Sequence, residues 1–113
     1  MRNGALAGMG DFTAAFIRRA LQGRVQGQGA IDVRRSTLDE VTIVHRYMST
    51  WNGRRVELPV AQLRARRGQL QLYWRHTTGR WLAYEGAGPV PFVGGLHACL
   101  EEITHDRWGC FWG

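Results

Sequence analysis

The chain has 113 residues, of which 44% are hydrophobic, 11% aromatic and 21% charged; that balance fits one globular domain and excludes a disordered tail. No apolar run approaches the roughly 20 residues that a membrane-crossing helix needs, and the opening Met1–Gly8, with one charge and no apolar block, fails as a signal peptide. Fifteen basic residues against nine acidic give a net charge of +6, and every basic residue is arginine, the side chain whose planar fork grips phosphate and stacks on rings.

Residues 1–10 read as a flexible Gly/Ala arm, and residues 11–113 as a single α+β domain. Asp11 is the expected N-cap of a helix to about Gln22, with Phe12, Phe16, Ala20 and Leu21 as its apolar face and Arg18 and Arg19 on the wet side. Gly23, Gly27 and Gly29 are expected to end it. From Ala30 the period falls to two. Ala30–Arg35 and Val41–Met48 read as β-strands around a Ser36–Glu40 connection, and Asn52-Gly53 signals a hairpin. Arg55–Arg66 is the next strand, with Pro59 demanding an edge or a bulge. Arg67-Gly68 turns into Gln69–His76, and Thr77-Thr78-Gly79 into Arg80–Glu85. Gly86–Pro91 is a linker whose prolines forbid a further central strand. A last helix, Leu96–Thr104, places Leu96, Cys99, Leu100 and Ile103 on one face and Glu101 and Glu102 on the other. The tail Arg107–Gly113 is too aromatic to stay loose and is expected to dock. The sum is α+β: an antiparallel meander of four to five strands between an N-terminal and a C-terminal helix, both on one face of the sheet.

The strand Pro59-Val60-Ala61-Gln62-Leu63-Arg64, the run Leu72-Tyr73-Trp74, the run Trp81-Leu82-Ala83-Tyr84-Glu85 and the closing Phe111-Trp112-Gly113 together resemble a bacterial family of small uncharacterised proteins, domain of unknown function 3024. The resemblance covers about residues 56–113. It implies the fold and carries no activity, cofactor or catalytic residue. Ala83 stands where the family has a bulkier or charged residue, so no role is carried over to that position.

Charge is uneven along the chain: residues 1–67 hold twelve arginines against five acids, residues 68–113 three against four. Strand alternation puts Gln62, Arg64, Arg66, Gln71, Tyr73, Arg75 and Trp81 opposite the leucine-bearing side. Arginines for phosphates beside rings for bases make a single-strand binding surface. The leading expectation is therefore a non-catalytic nucleic-acid-binding or nucleoprotein-associated module using Arg64, Arg66, Tyr73, Arg75 and Trp81, with single-stranded nucleic acid or RNA favoured. The bland counterpart is a Tyr73–Trp81 pair bracing the sheet beneath snorkelling arginines. The alternative function is a protein-interaction module, a subunit or inhibitor of a larger bacterial or mobile-element complex. It would dock through Trp108, Phe111 and Trp112 of the tail and the sheet edge near Pro59.

Metal and catalytic readings are weaker. His97, Cys99, His105 and Cys110 match no zinc spacing, and His97 and Cys99 point about 200° apart on a helix. Nothing in the sequence joins His45, His76 or His105 to Cys110, Asp106 or Glu85. No catalytic residue, metal or cofactor is assigned. Two cysteines without an export signal are expected as reduced thiols in a cytoplasm, with no membrane partner.

Overall fold

The computed structural model describes residues 11–86 and 92–112. The expected arm at 1–10, the linker prolines Pro89 and Pro91, and the side chains of Asp11 and Phe12 lie outside the described residues. Helix α1 (Asp11–Val25) runs past the expected stop and through Gly23. Its buried face is Ile17, Leu21 and Val25, one residue per turn, while Phe16 is 48% exposed. The expected Phe16–Ala20 face is thus corrected. Neighbours on a helix diverge by about 100°, so Phe16 and Ile17 cannot both face the sheet, and the stripe that continues to Val25 prevails. Burying Val25 offsets the roughly 1 kcal/mol that a helical glycine costs. The helix then closes through left-handed Gln26 and Gly27.

Five strands follow as a meander: β1 (Ala30–Thr37), β2 (Glu40–Met48), β3 (Arg55–Arg66), β4 (Gln69–Arg75) and β5 (Trp81–Ala83). All neighbours are antiparallel. A two-residue β6 (Val93–Gly94) pairs with β4 along the margin that β5 also occupies. Helix α2 (Leu96–His105) ends at Asp106, in the left-handed conformation. Gly29 is required at the entrance to β1: a Cβ there would lie 2.0 Å from the Arg46 carbonyl oxygen. At the β3–β4 turn, Arg67 and Gly68 both have positive φ, the conformation that matches strand twist in a two-residue hairpin.

Pro59 sits beside a bulge. Ile43 pairs with Ala61 and Val44 with Pro59, leaving Val60 extra. Among the described residues only β2 pairs with β3 before Ala61, so there the proline lies on a stretch of strand flanked on one side. The bulge resets the alternation. Val56 and Leu58 fall on the side of Ala61 and Leu63, and Arg55 and Glu57 on the side of Gln62 and Arg64.

Both helices cover one face. Ile17, Leu21 and Val25 of α1 and Cys99, Leu100 and Ile103 of α2 form one core with Ile31, Val41, Ile43, Leu63, Leu70 and Leu72; Tyr84 and Phe111 complete it. Among the described residues no helix packs on the opposite face. None of the described helices is long and apolar enough to cross a membrane.

Candidate nucleic-acid interface

Register fixes what the helix-free face carries. Arg34 opposes Thr42, Asp32 opposes Val44, and Arg46 opposes Glu57. Glu40 opposes Arg64, Gln62 opposes Tyr73, Arg64 opposes Gln71, and Arg75 opposes Trp81. Among the described strand residues Arg34, Arg46, Arg55, Arg64, Arg66 and Arg75 therefore share one surface with Asp32, Glu40 and Glu57 as its acids. All five residues expected to contact nucleic acid lie on it together.

The surface has two electrostatic halves. Away from the β3–β4 hairpin every guanidinium of the face except that of Arg55 is held by acids. Arg34 reaches Asp32 at 2.9 Å and, across β2, Glu57 at 2.9 Å; on the same face, Val44 of β2 is buried although outside the main core. The Arg34 hydrogen bond holds the Glu57 carboxyl below its usual range, and the two acids raise the Arg34 guanidinium in turn. Arg46 lies 3.7 Å from the same Asp32. Arg64 sits 3.2 Å from Glu40 and donates to Gln62 Oε1 at 2.8 Å.

On the β3–β4 side the pairing stops. Among the described residues Arg66 and Arg75 have no acid within ion-pair distance. The Arg75 guanidinium lies 5.4 Å from the Trp81 ring centre, and Trp81 is half-buried. Tyr73 is only 8% exposed, because the Arg64 guanidinium covers its ring at 3.9 Å; its hydroxyl donates to Gln71 Oε1 at 3.0 Å. Tyr73 thus presents no open ring to a base; it supports the cation above it.

The tail docks as its aromatic content predicts. Phe111 is 6% exposed and packs on Tyr84, ring centres 5.0 Å apart. The Trp112 indole donates to the Ile103 carbonyl at 2.8 Å, and Arg24 lies 5.5 Å from its ring. The backbone N–H groups of Phe111 and Trp112 each donate to an Asp106 carboxylate oxygen at 3.0 Å. Of the three tail rings expected to meet a partner, Trp108 alone is exposed, at 64%. Its indole donates to the Gly86 carbonyl at 2.6 Å, beside an open cleft of about 720 Å³ walled by Trp74, Leu82, Tyr84 and Cys110.

The histidines stay apart. His45 Nε2 donates to the Gln28 carbonyl at 2.7 Å, His76 Nδ1 accepts from the Thr78 N–H at 3.2 Å, and His105 Nδ1 donates to the Glu101 carbonyl at 2.9 Å. Both cysteines are free thiols. Burial pushes the Cys99 thiol up to about 12, and burial with the nearby Asp106 carboxylate pushes Cys110 up to about 11. These are packing thiols and poor nucleophiles. Among the described residues no group of His, Cys, Asp and Glu gathers to hold a metal.

Two features escape a reading by alternation. Glu102, expected on the wet face of α2, accepts the Tyr84 hydroxyl at 2.7 Å and Arg107 at 3.0 Å; burial and this bond raise the tyrosine's pKa. The β2–β3 loop carries Trp51 at 90% exposure, with Met48 at 60% beside it. Its placement at a turn tip was the signal available in the sequence.

A family model described as domain of unknown function (DUF3024) matches residues 11–113, so the likeness extends through the N-terminal half as well. No curated protein and no solved structure matches the chain.

Proposed function

The chain belongs to the DUF3024 family, and from that premise we propose that it is a non-catalytic module that binds single-stranded nucleic acid across the helix-free face of its sheet. The observation that carries this reading is the two-to-one excess of arginine over acid on that face, with Arg66 and Arg75 left without acidic partners. Those two guanidinia meet phosphates directly. Trp81, next to Arg75, supplies the ring for a base. Arg64 contributes a third phosphate contact and is aimed by Tyr73 beneath it and Glu40 beside it. The acid pairs on the other half of the face are at least partly exposed to water, where ion pairs contribute little, so a phosphate displaces them at little cost.

The test is the salt dependence of oligonucleotide binding. Three phosphate contacts on a single strand give a slope of log K against log salt of about −2, at roughly 0.7 per phosphate. Arg66→Ala with Arg75→Ala should bring the slope about 1.4 closer to zero. Affinity indifferent to salt, or unmoved by the double substitution, rejects the reading. Docking of a protein partner is the second reading, favoured by the exposure of Trp108 beside its cleft.

A further inference from the structure

Trp51, at the end of the β2–β3 hairpin, has no role in the face described above, and the hairpin end combines three features. The first is Trp51. A tryptophan left in water forgoes a large apolar burial, and this one is 90% exposed. Its backbone is nevertheless fixed. Ser49 N–H donates to the Arg54 carbonyl and Gly53 N–H to the Ser49 carbonyl, both at 2.8 Å. Trp51 N–H donates to Ser49 Oγ at 3.2 Å, and Arg54 N–H to Asn52 Oδ1 at 2.9 Å. The turn therefore presents the ring from a pre-organised backbone, whose ordering is not a cost of binding.

The second feature is a groove of about 770 Å³ between the loop that precedes β1 and the base of the hairpin, a volume within the range of natural ligand sites. Arg46, Thr50 and Arg55 line it together with the Gly27–Gly29 backbone, and Thr50 is the residue next to Trp51. The third feature is charge. Arg54 and Arg55 have no acid within ion-pair distance among the described residues, and Glu57, the acid nearest along the strand, is engaged by Arg34 at 2.9 Å. An exposed ring on a fixed backbone, beside the unneutralised guanidinia of Arg54 and Arg55, matches a base followed by its phosphate.

We propose that the hairpin end is a second nucleic-acid contact, in which Trp51 stacks on an unpaired base while Arg55 and Arg46 hold the neighbouring phosphate in the groove. The inference rests on the proposed function for its class of ligand and adds a base contact, Trp51, at the end of the face where Arg46 and Arg55 lie.

The probe is a fluorescently labelled oligouridylate of about a dozen nucleotides, titrated into the full chain by anisotropy, with heparin as a polyanion that has no bases. Trp51→Ala should weaken oligonucleotide binding by about ten- to a hundredfold and leave heparin affinity unchanged. Trp51→Phe should restore most of the loss. Because Trp51 buries almost nothing, the thermal melt should not move, so a loss of affinity reads as a lost contact. Oligonucleotide affinity unchanged in Trp51→Ala overturns the hairpin site and leaves the sheet face standing, provided that Arg66→Ala with Arg75→Ala still weakens binding. The reverse pattern, loss on Trp51→Ala alone, supports the hairpin and rejects the sheet face. An equal loss of heparin binding overturns stacking. No oligonucleotide binding by the unaltered chain rejects both sites. Binding of an acidic peptide that matches the oligonucleotide and is equally sensitive to Trp51 overturns the inference in favour of a protein ligand.

Discussion

Asp106 shows how much one side chain can organise. Its backbone takes the left-handed turn that ends α2, with its N–H donating to the Glu102 carbonyl. Its carboxylate, 4% exposed, accepts two backbone N–H groups of the tail and lies 3.7 Å from Arg24 of α1. Asp106→Ala should cost about 2–4 kcal/mol in urea unfolding, because charge-assisted bonds are lost and buried donors are orphaned. Asp106→Asn should cost less, since asparagine tolerates the left-handed turn and keeps one acceptor oxygen. The thiols provide a pH test. An unfolded thiol ionises near about 8.5, whereas folded Cys99 and Cys110 hold their protons to about 12 and about 11. Between those values the unfolded chain binds fewer protons, so stability is full below about pH 8.5 and falls as pH rises. Tyr84, also raised, acts in the same direction only above about pH 10. The urea midpoint should therefore decline between about pH 8.5 and 10, and Cys99→Ala should flatten the decline. At this scale the sequence conveyed direction better than contact: alternation placed Tyr73 on the correct face, but only the cross-strand reach of Arg64 explains why its ring is covered.

Among the elements, the bulge in β3 has the widest effect. Val60 is the extra residue, so its removal leaves every other β3 side chain on its present face. The cost is the lost burial of Val60, 3% exposed, about 1–3 kcal/mol. Deleting Leu58 instead turns Glu57 and Arg55 toward the helix side, breaks the Arg34–Glu57 pair and brings unpaired charge against His45 and Tyr47. A thermal melt should show a modestly weakened fold without Val60 and a far larger loss without Leu58; equal losses would count against the register. Most of this level was legible beforehand. The strands announced themselves by β-branched alternation and glycine turns, and Pro59 signalled the irregularity. The end of α1 was not legible, since tertiary burial of Val25 overrides a local glycine. Nor was β6, whose two residues are held by the free margin of β4 and carry no pattern of their own.

For the whole molecule, the placement of both helices on one side makes the rest follow. One face is sealed by Ile, Leu and Val, and the other is left to arginine, glutamine and aromatic rings. That division could be read from alternation, while the partition of the arginines into acid-paired and unpaired sets depends on strand order. The net charge of +6 adds a long-range attraction for polyanions, which salt screens over about 10 Å at 0.1 M; the salt slope described above therefore belongs to the face as a unit. The same open architecture has a cost that the chain counters at one point. Before Ala61, β3 has a neighbour on one side only among the described residues, and a stray strand from another copy could add there and seed a fibre. Any such newcomer meets Pro59, whose ring obstructs it and whose nitrogen has no hydrogen to share. The residue that first marked an irregular strand thus also guards concentrated solutions against self-templated growth.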